Sequence, residues 1–304
     1  MPISTLVTRR NNKALSGLFL GLLAIACFSV TLPATRLAVG VLDPTFVGLG
    51  RSLLAAVPAL ALIYGFKIAF PTRRQWWDIT IVMLGVVISF PWLTSMAMQN
   101  VSGAQGGIVV SMLPLFTAIA GALLLRQRPS VGFWLMAILG SSLVIIYLLW
   151  SRQGQLQSSE LILLGASILC AIGYAQGGKL AVEIGGVAVI CWAIVLSVPF
   201  TIIPVAFTWE NIQINNAREI INWQAWAGFI YVSFISQWLA FIFWYRGLAL
   251  GGVIRVSQVQ LIQPFLTLFV AALLLGESIS FLMIVFCAAV VLSVAIGRRM
   301  PVYR

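Results

Sequence analysis

Apolar runs of about twenty residues recur from one end of this chain to the other, separated by short polar breaks. A helix crossing a ~30 Å hydrocarbon layer needs about 20 such residues. Ten runs satisfy that length, at residues 15–39, 44–65, 76–98, 104–125, 131–150, 160–182, 187–208, 223–248, 253–275 and 279–297. A membrane β-barrel would instead alternate apolar and polar residues in segments of about ten. The spacing therefore predicts an all-α integral membrane protein with ten transmembrane helices. Only 8% of the residues are charged, and no stretch remains for a soluble catalytic domain of about 100 residues. Function has to reside in the membrane.

Several chemistries are disfavoured at once. The chain has no histidine, which removes the commonest general base and the commonest nitrogen ligand for zinc. Cys27, Cys170, Cys191 and Cys287 all fall inside apolar runs without CxxC spacing and read as small buried hydrophobes. No enzyme activity, metal or cofactor is expected. The net charge of +11 is spread one to three residues at a time between spans, a pattern of membrane topology rather than of nucleic-acid binding. The N-terminal segment lacks a convincing small-residue cleavage site, so no removable signal peptide is expected.

Ten spans with the N-terminus inside put fourteen of the eighteen Lys and Arg on the inner side. Only Arg36, Arg51, Arg152 and Arg218 fall outside or within the membrane, while most acids fall outside. The positive-inside rule then places both termini in the cytoplasm.

The chain also repeats. "LPLFTAIAGALLLRQRPS" (Leu113 to Ser130) aligns with "QPFLTLFVAALLLGESIS" (Gln263 to Ser280) at an offset of 150 residues, pairing Pro114 with Pro264 and Thr117 with Thr267. "CFSVTLPATRLAV" aligns with "CAIGYAQGGKLAV", pairing Cys27 with Cys170 and Arg36 with Lys179. Two halves follow, 1–152 and 153–304, each of five spans. Because five is odd, the second half enters the membrane inverted. Inverted repeats are a recurring plan of secondary transporters, whose site lies near the midplane between the repeats.

The polar residues within the apolar spans are the candidates for that site. "RVSQVQLIQP" places Arg255, Ser257, Gln258, Gln260, Gln263 and Pro264 in the ninth span; on an α-helix the first five spread around most of the circumference, so protein or water must surround it. Pro264 cannot donate to the Gln260 carbonyl, and Pro114 in the fourth span cannot donate to that of Val110. Broken helices at membrane depth are tolerated where they line a cavity, so two symmetric kinks, with Ser111, Gln258 and Gln263, are expected to flank the substrate. Arg255 and Lys179 lie near span ends, where snorkelling to the headgroups competes with an anion-binding role. Trp238, Phe241 and Tyr245 share one helical face of the eighth span, which Tyr174 and Trp92 can join. Such an aromatic pocket with a few polar donors suits a metabolite with an apolar part. Arg51 lies too deep for easy snorkelling, where a charge costs at least ~2.5 kcal/mol. It holds either a substrate carboxylate or a structural partner, helix-end carbonyls or Asp43. No Asp or Glu falls in a span interior, which disfavours proton coupling through a membrane carboxylate and an acid-lined cation channel.

As a combination, these features resemble the EamA family of the drug/metabolite transporter superfamily: two five-span halves, "FSVTLPATRLAV" closing the first span, "GRSLLAA" in the second, proline then "LLL" in the fourth, and "LLLGES" closing the ninth. The resemblance implies a carrier of the bacterial inner membrane, often an exporter of amino acids or related metabolites, with a central cavity lined by both halves. It also implies a structural role for Arg51, since members with different substrates carry a similar arginine. Gly276 and Glu277 keep the family's pattern, whereas Arg126 and Gln127 depart from it in the first half. The expected function is secondary transport by alternating access, probing first for amino acids. The alternative is a facilitative carrier or channel for nucleobases, sugars or drugs. The expected partners are a small-molecule substrate and the lipid bilayer, and one chain suffices for a complete pathway.

Overall fold

The computed structural model describes residues 3–124, 128–151, 157–215, 222–251, 256–297, 299–300 and 302–303. Among the described residues, eight helices are long and apolar enough to cross a membrane: span 1 (Leu15–Val39), span 2 (Pro44–Gly65), span 3 (Arg73–Ala97), span 4 (Gly103–Leu124), span 5 (Val131–Trp150), span 6 (Ser158–Ile184), span 7 (Gly186–Thr208) and span 8 (Trp223–Gly251). Two shorter apolar helices complete the set, span 9 (Val259–Leu275) and span 10 (Phe281–Gly297). The protein is an all-α membrane protein of about ten helices, and the spans lie within a few residues of their expected limits. The only strands among the described residues are two-residue pieces, Arg128–Pro129 and Val302–Tyr303, paired antiparallel.

The helix ends follow from local chemistry. Asp43 opens span 2 by accepting from the Thr45 and Phe46 N–H groups at 2.7 and 3.0 Å, with Pro44 beside it where no N–H is needed. Thr72 and Gln75 form a capping box at span 3. Gly276 adopts a left-handed φ of +63° at the end of span 9, a conformation natural to glycine.

Span 2 packs along span 7, span 4 against span 9, and span 5 against span 10; span 1 packs along span 8 and span 3 along span 6. Exchanging each span for the one five places away maps this set of contacts onto itself. Glycines allow the two equivalent close approaches. A Cβ on Gly247 of span 8 would stand 3.0 Å from the Gly17 carbonyl oxygen of span 1, and one on Gly85 of span 3 would stand 3.2 Å from Gly173 Cα of span 6.

Four spans depart from regular α-helix in a paired manner. Spans 3 and 8 each contain a π-helical stretch, Met83–Ser89 and Tyr231–Leu239. Span 4 is interrupted between Gly103–Val110 and Leu113–Leu124, and span 9 is entered through a 3-10 segment, Ser257–Ile262, that overlaps its first residues before its α-helix from Gln263. In each of these last two spans the interruption sits just before proline, Pro114 or Pro264, whose ring and missing N–H break the α pattern.

Candidate functional site

The interruptions of spans 4 and 9 meet. Ser111, Pro114, Gln263 and Pro264 line one narrow cleft with Leu32 of span 1, Gly107 and Val110 of span 4, and Gln260 and Thr267 of span 9. Among the described residues its polar lining is made of hydroxyls and amides, without a charged side chain. Its centre has room for about one water molecule, so nothing larger fits between spans 4 and 9 in this arrangement.

Local backbone geometry explains which glutamines face it. The 3-10 helix stacks residues three apart on one face, which brings Gln260 and Gln263 together. The Gln260 carbonyl does not stay free, as Pro264 had suggested, because the Gln263 N–H donates to it in the 3-10 pattern. The Gln260 side chain is 3% exposed, and its Nε2 has no protein partner among the described residues. The Ser111 hydroxyl donates to the Ile108 carbonyl of its own helix, leaving its oxygen as an acceptor. Gln260 and Thr267 were not singled out as side-chain contacts from sequence; the three-residue spacing to Gln263 and the Thr117–Thr267 repeat pair were the available signals.

Other expected site residues lie elsewhere. Tyr174, Phe241 and Tyr245 form an aromatic core with Phe28 and Trp244 that joins spans 1, 6 and 8. Phe241 stands 4.9 Å from Phe28, 5.8 Å from Tyr174 and 5.8 Å from Tyr245 between ring centroids. Tyr245 is fully buried and presses on Gly177, so it fills the core instead of edging the cleft. Trp238, half-buried, stays outside this ring cluster and sets its indole against Cys191. Trp92 points outward and donates its indole N–H to Thr45 Oγ1 at 3.2 Å. Lys179 is exposed. Arg255 and the Gln258 side chain lie outside the described residues.

Arg51 is 1% exposed. Asp43 is not its partner, being engaged as the helix cap of the same span. Its Nε donates instead to Gln237 Oε1 of span 8 at 2.9 Å. Cys170 and Tyr174 lie within electrostatic reach of the guanidinium. Gln237 escapes a sequence reading because it shows neither charge nor repeat.

Three other acids lie at the two ends of the bundle. Glu277, just past span 9, accepts from the Gly103 and Ala104 N–H groups at the start of span 4 at 2.7 and 2.8 Å. At the opposite end, Arg74 pairs with Glu183 at 3.4 Å, and Asp78 accepts from Gln176 of span 6. Asp78 thus reaches further into the bundle than its place near the start of span 3 suggests.

The EamA-like transporter family model matches this chain twice, over residues 15–150 and 157–297. The chain belongs to the EamA-like transporter family. A relative described as an uncharacterized transporter, YdeK of Bacillus subtilis (strain 168), is 37% identical over 288 residues, covering 95% of this chain and 99% of the relative. A protein of known crystal structure shares the fold at 16% identity, with a TM-score of 0.60 over 92% of this chain and 96% of the other. As an EamA-like transporter the protein moves a solute across a membrane, and the paired interruptions belong to corresponding spans of its two matched segments.

Proposed function

We propose that this EamA-like transporter is a secondary carrier of small organic metabolites, amino acids first among them, which exports its substrate across the bacterial inner membrane by alternating access. The observation that carries the reading is the cleft where the interruptions of spans 4 and 9 meet, lined by Ser111, Gln260, Gln263 and Thr267. Hydroxyl and amide groups that can both donate and accept suit a neutral or zwitterionic solute better than an inorganic ion. Both termini face the cytoplasm on the balance of Lys and Arg. One chain contains both halves, so a monomer is a sufficient unit. The substrate enters when the halves rock apart about spans 4 and 9, and leaves on the other side when the opposite ends separate.

Uptake of radiolabelled amino acids into proteoliposomes, with and without an imposed pH gradient, tests this reading. Saturable uptake that ignores the gradient is expected, since none of the described residues that line the cleft carries a carboxylate to take up a proton. Saturable uptake of nucleobases or sugars with none of amino acids would overturn the substrate class, and non-saturating flux would replace the carrier with a channel.

A further inference from the structure

Arg51 is a buried cation for which the described part of the protein supplies no anion. Five of the seven acidic side chains are described, and each is engaged elsewhere: Asp43 at the span 2 cap, Asp78 with Gln176, Glu160 with the Gln157 N–H, Glu183 with Arg74 and Glu277 with the span 4 N-terminus. Gln237 offers only a neutral oxygen to Arg51 Nε. The cost of an unneutralised charge at this depth is several kcal/mol by order of magnitude.

Two donors are left over at the same place. Arg51 Nη1 and Gln237 Nε2 are both buried without a protein partner among the described residues. The Nε to Oε1 bond at 2.9 Å holds the guanidinium and the amide together, so the two free N–H groups belong to one constellation spanning spans 2 and 8.

We infer that Arg51 and Gln237 form a binding site for a single carboxylate group, one oxygen taking the Arg51 Nη1 donor and the other the Gln237 Nε2 donor. A monoanion neutralises one guanidinium; a dianion would leave a second uncompensated charge in the same low-dielectric interior. Gln237 lies in the π-helical stretch of span 8, a loosened register frequent at functional sites, and Arg51 lies on the facing span. Their separation when the bundle opens admits the ligand to a site that is sealed here. That the carboxylate is carried by the transported molecule rests on the carrier reading; the site itself does not.

The experiment is thermal unfolding of the purified full-length protein in detergent, with sodium propionate, propionamide and sodium chloride compared at matched concentration and ionic strength. Propionate is expected to raise the midpoint progressively with concentration, while propionamide and chloride do not. Gln237→Leu, which removes the second donor, and Gln237→Glu, which places a carboxylate beside Arg51, are both expected to abolish the propionate response. Gln237→Glu should also melt higher than Gln237→Leu without any ligand. The inference is overturned if chloride matches propionate, if wild type shows no propionate response, or if the response survives in both variants. A protein that takes up amino acids without responding to propionate would sink this inference alone. A propionate response without amino-acid uptake would sink only the proposed substrate class.

Discussion

Glu277, the first residue after the left-handed glycine that ends span 9, accepts the backbone N–H of Gly103, the first residue of span 4, at 2.7 Å. A carboxylate at a helix N-terminus satisfies orphan donors and complements the helix dipole. Here the cap is supplied by the other half of the protein, so it ties span 9 to span 4 at one end of the cleft.

Glu277→Ala is expected to lower stability by about 1–2 kcal/mol, the usual worth of a helix cap, with Glu277→Gln losing less because its oxygen still accepts. Thermal unfolding in detergent measures this. An unchanged midpoint in Glu277→Ala would mean that the cap does not hold the two spans together.

Gln260→Ala, Gln263→Ala and Ser111→Ala should each raise the apparent KM for substrate by about threefold to tenfold while the fold is retained. That is the loss of one neutral hydrogen bond of about 0.5–1.5 kcal/mol. Gln258→Ala belongs in the same series. Transport kinetics paired with a melting curve separate affinity from folding, and unchanged kinetics in all four variants would remove this segment from the substrate pathway.

Gly177 has no space for a side chain: a Cβ there would meet the Tyr245 hydroxyl and stand 2.7 Å from Tyr245 Cζ. Gly177→Ala should cost about 1–3 kcal/mol by overpacking. Tyr245→Phe alone should be close to neutral, since the hydroxyl has no protein partner among the described residues, and in the double variant it should return part of the loss. A Gly177→Ala protein as stable as wild type would show that the aromatic core yields more easily than its packing implies.

The Arg74 to Glu183 pair is a contrasting case. Its side chains are 71% and 38% exposed, and such ion pairs contribute about 0–1 kcal/mol. Glu183→Gln should therefore leave the melting temperature almost unchanged. A large drop would mark the pair as part of a gate at that end.

Sidedness can be read by labelling. In a background freed of the native cysteines, Ser278→Cys, at an exposed position beyond span 9, should react with a membrane-impermeant maleimide in intact cells. Lys67→Cys, exposed after span 2, should react only after permeabilisation. The reverse pattern would invert the proposed topology.

The membrane spans were legible because each is set by a local quantity, the length of an uninterrupted apolar run, and packing has little freedom to override it. The paired prolines were legible for a similar reason. Pro114 and Pro264 act on their own helices through a missing N–H and a fixed ring, and their common spacing marks the repeat. The consequences of those prolines were less accessible. At Gln260 the expected free carbonyl is taken by the Gln263 N–H, because a 3-10 turn costs less than an unsatisfied acceptor in an apolar interior.

The aromatic face of the eighth span shows the limit of periodicity. Phe241 and Tyr245 do share a face, but a helical face says nothing about whether it meets a cavity or a core, and here Phe28, Tyr174 and Trp244 close over it. Trp238 belongs to the π-helical stretch, where the 100° step per residue no longer holds, and it turns to Cys191 of span 7 instead.

Arg51 divides the two kinds of information most sharply. The sequence by itself determined that a charge lies deep in the second span and must find a partner, because the cost of a bare cation there is fixed by the bilayer. Only the tertiary structure decided that the partner is Gln237, 186 residues away, and that Asp43 is committed to a helix cap. Hydrogen-bond partners across a bundle depend on which faces pack, and packing is a property of the whole chain rather than of any run within it.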